Sequence, residues 1–565
     1  MTTPNKCRCL ARPGAAFLPA GLLIASLSVS AAPASAQTLP DAGRLLDNIQ
    51  PPAQLPKSNA EALPEPALRA PLKLPADIKV YVEAVRITGA QAFSEAQLQD
   101  LLADLIGGEH SLAELEQAAM RITQHYRKAG YLLARAYLPT QEIKNGVVDI
   151  QVLEGRLGKL SLDNQSSFSD DRIREQVAGI TPDQALRSDT VERSLLLLSD
   201  IPGLAVRSTL SPGASLGSTD LDIQVKNGKP YDASVSVDNL GNRYTGQARI
   251  NGNVTLNNPL GWGDALQLNA LSSGSGLVYG RLSYQLPINR QGTQIGAAYA
   301  QMRYRLGEEF SNLDAHGTAR IASLYLLHPL LRSRQANLNL QINVDHKELD
   351  DNIDLTATTT SKTLNNLTVG LSGYRSDDVM GGGISQGNLS VTAGKLKLDA
   401  ASAALDTLGH NTQGHFLKSN IQLGRLQRLS QRWSLSAQLS AQYAADNLTS
   451  TEKMSLGGAY GVRAYPQGEA PADDAWLLNL ELRFDVTPQW QALLFYDTAQ
   501  GRLNHKPAVG DGDNRRSLSG LGTGMRWTGP QGLSLQASVA WRTDEAPNSD
   551  KDKLPRAWLQ LAKRF

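Results

Sequence analysis

Trp476-Leu477-Leu478-Asn479-Leu480-Glu481-Leu482-Arg483-Phe484-Asp485 is the stretch that decides the fold. Successive side chains of an extended strand point to opposite faces. Trp476, Leu478, Leu480, Leu482 and Phe484 therefore share one face, and Asn479, Glu481, Arg483 and Asp485 share the other. The run is long for a soluble sheet, whose strands average about five or six residues. It suits a strand that crosses a bilayer at a tilt, which needs about ten. Thr487-Pro488-Gln489 then turns the chain into another strand carrying Phe495-Tyr496-Asp497-Thr498-Ala499.

The same alternation extends in both directions. Ala248, Ile250, Val254 and Leu256 alternate with polar residues, as do Leu338 to Val344, Trp433 to Tyr443, and Leu533 to Trp541. The apolar faces are modest and rich in Leu and Ala, and the opposite faces are strongly polar, which suits lipid outside and a wet lumen inside. From Tyr231 to Phe565 the reading gives about sixteen strands, an even number as bacterial barrels require. Short connections (Asn289 to Gly292, Arg332 to Arg334, Thr487 to Gln489, Gly529 to Gln531) alternate with long ones (Arg305 to His316, Lys347 to Thr358, Asp399 to Thr412, Leu448 to Ala475, Arg502 to Asn514). That matches short periplasmic turns opposite long external loops. Arg375 to Gly383 is longer than the rule wants. Phe565, in parity with Leu559 and Leu561, ends the last strand on an aromatic residue and is the expected barrel insertion signal.

Ahead of the strands the pattern changes. Residues 1–36 read as a signal peptide, with Lys6, Arg8 and Arg12, an apolar run from Ala15 to Val29, and Ala34-Ser35-Ala36 before Gln37. Both cysteines, Cys7 and Cys9, fall inside it, so the mature chain is expected to hold no thiol, disulfide or thiolate metal site. Residues 37–78 read as a Pro-rich linker with one short helix, in which Asp41 caps a run to Ile49 with Leu45, Leu46 and Ile49 on one stripe. Residues 79–155 and 156–228 each read as β-α-α-β-β. The first has a strand kinked between Val82 and Val85, a capping-box helix at Ser94 to Gln97 and a helix from Ser111 to Ala129. The second has helices at Ser169 to Val177 and Ser188 to Leu198. Residues 229–565 are the barrel.

Lys plus Arg total 55 against 54 for Asp plus Glu, so no strong field exists to hold nucleic acid. Gly213 to Gly217 and Gly383 to Gly387 fit G-x-S-x-G, but both are placed in hairpin connections without the helix a nucleophile elbow needs. No phosphate-binding loop and no H-x-x-x-H zinc spacing occurs. An enzyme and a cofactor are not expected.

This order of leader, linker, tandem α/β units and terminal barrel resembles the two-partner secretion translocators. These are the hemolysin activation/secretion (ShlB/FhaC/HecB) proteins, relatives of the barrel-assembly protein BamA, and the small units resemble POTRA (polypeptide-transport-associated) domains. Two motifs sharpen the likeness. Val462-Arg463-Ala464-Tyr465 in the longest loop resembles the family's Val-Arg-Gly-(Tyr/Phe), and Phe495-Tyr496-Asp497-Thr498-Ala499 resembles Phe-x-Asp-x-Gly. Ala464 and Ala499 replace glycine, so the loop tip is expected to differ slightly if the family's glycines need positive φ. By position alone Arg463 is a solvated loop cation and Asp497 a strand-end carboxylate. With the motif context Arg463 is expected to grip Asp497 bidentately inside the lumen and hold the loop. Asp497 shares a strand face with Phe495, which requires the loop to cover the wall there.

The resemblance implies a bacterial outer-membrane translocator with periplasmic small domains. It would export a large adhesin- or hemolysin-like exoprotein by type V secretion, with outer-membrane lipid and, during biogenesis, the barrel-assembly machinery as its other partners. A BamA-like insertion factor and a passive porin are the alternatives. The helix near Asp41 resembles the family's pore plug; on residues alone it reads equally as a disordered tail with chance apolar spacing.

Overall fold

The computed structural model describes residues 39–47, 49, 79–131, 133–181, 187–215 and 217–565. The expected signal peptide and most of the Pro-rich linker lie outside them. α1 (Ala42–Asp47) belongs to the linker.

The first small domain runs β1 (Lys79–Val82), β2 (Ala84–Thr88), α2 (Glu95–Asp100), β3 (Gly108–Ser111), α3 (Leu112–Lys128), β4 (Arg135–Tyr137) and β5 (Val147–Leu153). The second runs β6 (Arg156–Gln165), α4 (Asp170–Val177), α5 (Ser188–Ser199), β7 (Leu204–Pro212) and β8 (Ser218–Asn227). Each has a three-stranded sheet, ordered β2-β5-β4 and β6-β8-β7, with its two main helices packed on one face. The kink at Glu83 separates β1 from β2 completely: β1 pairs with β3, a strand the sequence reading missed. The capping box at Ser94 forms as expected, and Ser111 with Glu114 forms another at the start of α3.

The barrel consists of β9 (Tyr231–Asp238), β10 (Arg249–Asn257), β11 (Ala265–Ser272), β12 (Leu277–Pro287), β13 (Gln294–Arg305), β14 (Ala315–Arg332), β15 (Ala336–Ile353), β16 (Thr358–Asp377), β17 (Gly383–Leu398), β18 (Gly414–Arg428), β19 (Trp433–Ala444), β20 (Asp474–Asp485), β21 (Trp490–Arg502), β22 (Arg515–Thr528), β23 (Leu533–Arg542) and β24 (Arg556–Arg564). α6 (Ala400–Leu408) interrupts the connection from β17 to β18. All sixteen strands are antiparallel to their neighbours, and β24 closes on β9. This seam pairs only Gln560 to Arg564 with Asp238 to Ser234, and Phe565 extends it by donating its N–H to Ala233 O at 2.9 Å. The Phe565 ring stands exposed on the outer surface.

Three readings are corrected. Lys347 to Thr358 is not a long loop: β15 continues to Ile353 and turns through residues 354–357 into β16. Arg375 to Gly383 is a tight turn, because β16 runs to Asp377. Gly383 to Gly387 lies inside β17 rather than in a connection; Gly213 to Gly217 does span the β7–β8 hairpin.

Outward-facing Val237, Ile250, Leu268, Leu282, Leu324, Val344, Leu367, Val391 and Leu417 form the exposed apolar band. Near the short turns, Trp433 packs at a tilt against Phe484 and Trp490 against Trp527, and aromatic side chains gather in this way at a membrane interface. The second small domain sits at that same end. Asp200 accepts from Arg332 Nε and Nη2 at 2.7 and 2.8 Å, and Gln176 donates to Arg290 O at 2.7 Å. Leu197 reaches so close to Gly292, whose φ is +83°, that a Cβ there would lie 2.6 Å from its methyl carbon. This end is the periplasmic one, and the opposite mouth is extracellular.

Candidate functional site

The connection from β19 to β20 folds back into the cylinder. Its tip, Val462 to Tyr465, is fully enclosed, and Arg463 meets the wall at Asp497. Arg463 Nε donates to Asp497 Oδ2 and Nη2 to Oδ1, both at 2.8 Å, and the Arg463 amide adds a third bond to Oδ2 at 3.1 Å. Phe495 and Asp497 both face inward. The Arg463 guanidinium carbon lies 3.5 Å from the Phe495 ring centroid, a cation–π stack that explains how an aromatic ring is accommodated on the lumenal face. Asn479, opposite Asp497 on β20, donates to Asp497 Oδ1 at 2.8 Å and to Gly461 O at 2.9 Å. Burial by itself would depress the Arg463 pKa, but its carboxylate partners raise it above the ordinary value.

The sequence reading missed the second carboxylate. Glu481 accepts from Arg463 Nη1 at 3.0 Å and from Arg483 Nε at 2.7 Å, and Arg526 lies 2.9 Å away. Arg483 follows Glu481 by two residues on the same face, so strand period alone could have signalled that pair. The cross-strand partner Arg526 had no local signal.

Backbone space completes the socket. Gly520 and Gly522 are consecutive inward positions of β22. A Cβ on Gly520 would lie 2.5 Å from the Ala464 methyl, and one on Gly522 would lie 2.3 Å from the Phe495 ring. Ala464 and Ala499 are buried, and neither has positive φ, so replacing glycine introduces no backbone strain. Trp558 Nε1 donates to Arg463 O at 2.7 Å, and Tyr465 OH donates to Glu545 O at 2.7 Å. Burial raises the Tyr465 pKa to about 12.

The root of the loop is pinned separately. Glu452 is buried between Lys347 at 2.7 Å and Lys418 at 2.9 Å, and accepts from Asn366 at 3.0 Å. Burial opposes its ionisation, but the two lysines prevail and hold its pKa at about 2. Lys453 pairs with the buried Asp473 at 2.8 Å.

α1 lies in the lumen against this root. Asp41 caps it by accepting from the Arg44 amide at 3.0 Å, and receives Lys362 of the wall at 2.8 Å and Ser450 Oγ at 2.5 Å. The Ala42 amide donates to Asp351 at 2.9 Å. Ala42, Leu45 and Leu46 pack with Met302, Tyr304, Leu349, Leu364, Phe416 and Leu448. Six residues cannot sustain an isolated helix, so packing supplies its stability. A cavity of about 370 Å³ remains beside it, lined by Arg281, Asn343, Asp345 and other polar wall residues together with Leu46.

A closed sixteen-stranded cylinder with a lipid-facing band, an inward-folded loop and tandem α/β domains at its periplasmic mouth defines an outer-membrane polypeptide transporter of the POTRA-bearing type. Comparison with known proteins agrees. The family model for haemolysin secretion/activation protein ShlB/FhaC/HecB matches residues 217–527, and that for the ShlB-type POTRA domain matches residues 80–155. The heme/hemopexin transporter protein HuxB of Haemophilus influenzae is 31% identical over 484 residues, covering 83% of this chain and 84% of that protein. CdiB from Escherichia coli superimposes with a TM-score of 0.67 at 20% identity, covering 93% of this chain and 96% of that one. BamA from Haemophilus ducreyi does so at 0.53 and 15%, covering 86% and 100%. The chain belongs to the ShlB/FhaC/HecB haemolysin secretion/activation family. It is a two-partner secretion transporter of the outer membrane, not an enzyme, and it transports a partner exoprotein.

Proposed function

We propose that the exported partner is a large adhesin- or hemolysin-like exoprotein that passes unfolded through the barrel lumen after α1 leaves it. The observation that carries this reading is the occupied lumen: a passive porin has no use for a docked helix and an inward-folded loop. The small domains would capture an extended cargo segment along a sheet edge, such as β7, whose backbone is paired on one side only among the described residues. Cargo folding outside would then draw the chain forward. Arg463, Asp497 and Glu481 hold the loop tip against the wall and so preserve a polar passage beside it. The name of the relative HuxB points to a second cargo class, a protein that handles heme or hemopexin. Two small domains, rather than a longer string, favour secretion over BamA-like insertion.

Deleting residues 79–228 tests the division of labour. Lost export with barrel insertion and pore conductance retained supports it; undiminished export contradicts it. Mass spectrometry of the medium from the undeleted strain then identifies the cargo class.

A further inference from the structure

We propose that Lys395, Lys397 and His415 form a binding site on the outer surface of the barrel for the phosphate groups of an outer-leaflet lipid. β17 rises toward the extracellular mouth, and its outward positions read Leu389, Val391, Ala393, Lys395, Lys397. The first three belong to the apolar band, continued sideways by Leu367 on β16 and Leu417 on β18, which flank Ala393. One step higher, Lys395 stands between Asn365 and His415, and Lys397 stands beside Thr363. Adjacent strands are about 4.8 Å apart and alternate residues about 6.8 Å, so these groups converge on an area of headgroup size.

The cations are not spent on neighbours. Among the described residues no carboxylate pairs with Lys395 or Lys397. The nearby outward carboxylates have other partners: Glu348 has Arg320 at 3.6 Å and His346 at 3.5 Å, and Asp350 accepts from Ser361 Oγ at 2.7 Å. Asp399 accepts from the Ala401 and Ser402 amides at the start of α6, and from the Ser361 amide. The Asn365 carbonyl oxygen is engaged by His346 at 2.7 Å, which leaves its amide nitrogen free to donate outward.

Position selects the ligand. Lysines immediately above an apolar band lie at the depth of the lipid headgroups, where an ammonium extends to meet charge. With a formal charge of only +1, the chain offers no general attraction for anions, so the patch is a local concentration. Rigid strands hold both lysines, and the His415 ring adds a donor; together they complement a phosphate rather than a zwitterionic surface. Each lysine near an anionic surface contributes about a fivefold gain in affinity.

The test is a binding titration by native mass spectrometry of the full-length mature transporter in detergent, with lipid A and with lipid A stripped of its phosphates. The wild type is expected to prefer the phosphorylated lipid. K395Q/K397Q/H415Q is expected to weaken that binding by on the order of twentyfold and to leave binding of the stripped lipid unchanged. R303Q/R515Q removes two charges from exposed outward positions elsewhere on the rim and is expected to keep wild-type preference. Equal affinity of wild type and triple variant for lipid A, no preference for phosphate, or an equal loss in R303Q/R515Q would overturn the proposal. Heat-dependent gel mobility verifies closed barrels, and the single variants K395Q and K397Q carry the test if the triple variant does not fold. Export, measured in the same strains, reports separately on the transport reading.

Discussion

Ser450 Oγ donates to Asp41 Oδ2 at 2.5 Å, so the lumenal helix and the root of the long loop share one carboxylate, which Lys362 of the wall also grips. Gly43 permits the approach: a Cβ there would lie 2.4 Å from Thr451 Oγ1. Helix and loop therefore pack as one body, and moving α1 removes a partner from the loop.

Acid should loosen this body. Burial works against ionisation of Asp41, but Lys362 and Arg44 outweigh it and hold the pKa well below the ordinary value; the pKa of Glu452 is held at about 2. Because both folded-state values are depressed, each carboxylate contributes docking energy that is complete above about pH 4.5 and lost as pH falls through the folded value. For Glu452 the contribution is on the order of 3 kcal/mol. In planar bilayers, openings should become more frequent between about pH 4 and pH 2. Glu452→Gln should open at neutral pH with a flattened acid response; identical traces from wild type and variant would count against the latch.

Arg463→Ala leaves the buried Asp497 carboxylate without its cation, although Asn479 and the residue 463 amide still donate to it, a change that costs about 3 kcal/mol of local docking. Export should fall at least tenfold while heat-modifiable, inserted barrel persists. Asp497→Ala should do the same, and Arg463→Lys should recover little, since an ammonium cannot span Asp497 and Glu481 as the fork does. Normal secretion by both alanine variants would remove the role assigned to the pair.

Gly522→Val changes no charge. Its side chain would occupy the space of the Phe495 ring and push that ring against Arg463. Overpacking of this kind costs about 1–3 kcal/mol. Export should drop to near the Arg463→Ala level, and protease sites in residues 456–470 should become accessible from outside. A protected loop with normal export would show that the glycine socket has slack.

The alternation from Trp476 to Asp485 was legible because lipid and lumen demand opposite chemistry of neighbouring residues. It failed between Lys347 and Ile353 for the same reason: from His346 on, β15 leaves the apolar band for headgroup level and beyond, so outward His346, Glu348 and Asp350 need not be apolar although the ladder continues. β3, with the sequence Gly-Glu-His-Ser, carries no apolar pattern at all and exists because β1 offers it an edge. Arg463 and Asp497 could be paired from their motifs. The convergence of Arg483 and Arg526 on Glu481 depends on register across β20, β21 and β22, which no local stretch encodes. α1 stayed ambiguous because its stability resides in the wall and in Ser450 rather than in its own residues.

The central claim is that cargo passes through the lumen only when α1 vacates it. Both cysteines of the chain, Cys7 and Cys9, lie in the stretch read as a signal peptide, and the Asp41 and Ser450 side chains meet at 2.5 Å, within reach of a short cleavable bis-thiol cross-linker. Secretion should therefore be measured in a D41C/S450C strain after treatment with a disulfide-containing bis-maleimide, and again after adding a membrane-permeant reductant. The account predicts blocked export when the cross-link is closed and recovery on reduction, with each single-cysteine strain secreting in both conditions. Undiminished export through a fully cross-linked transporter would contradict it.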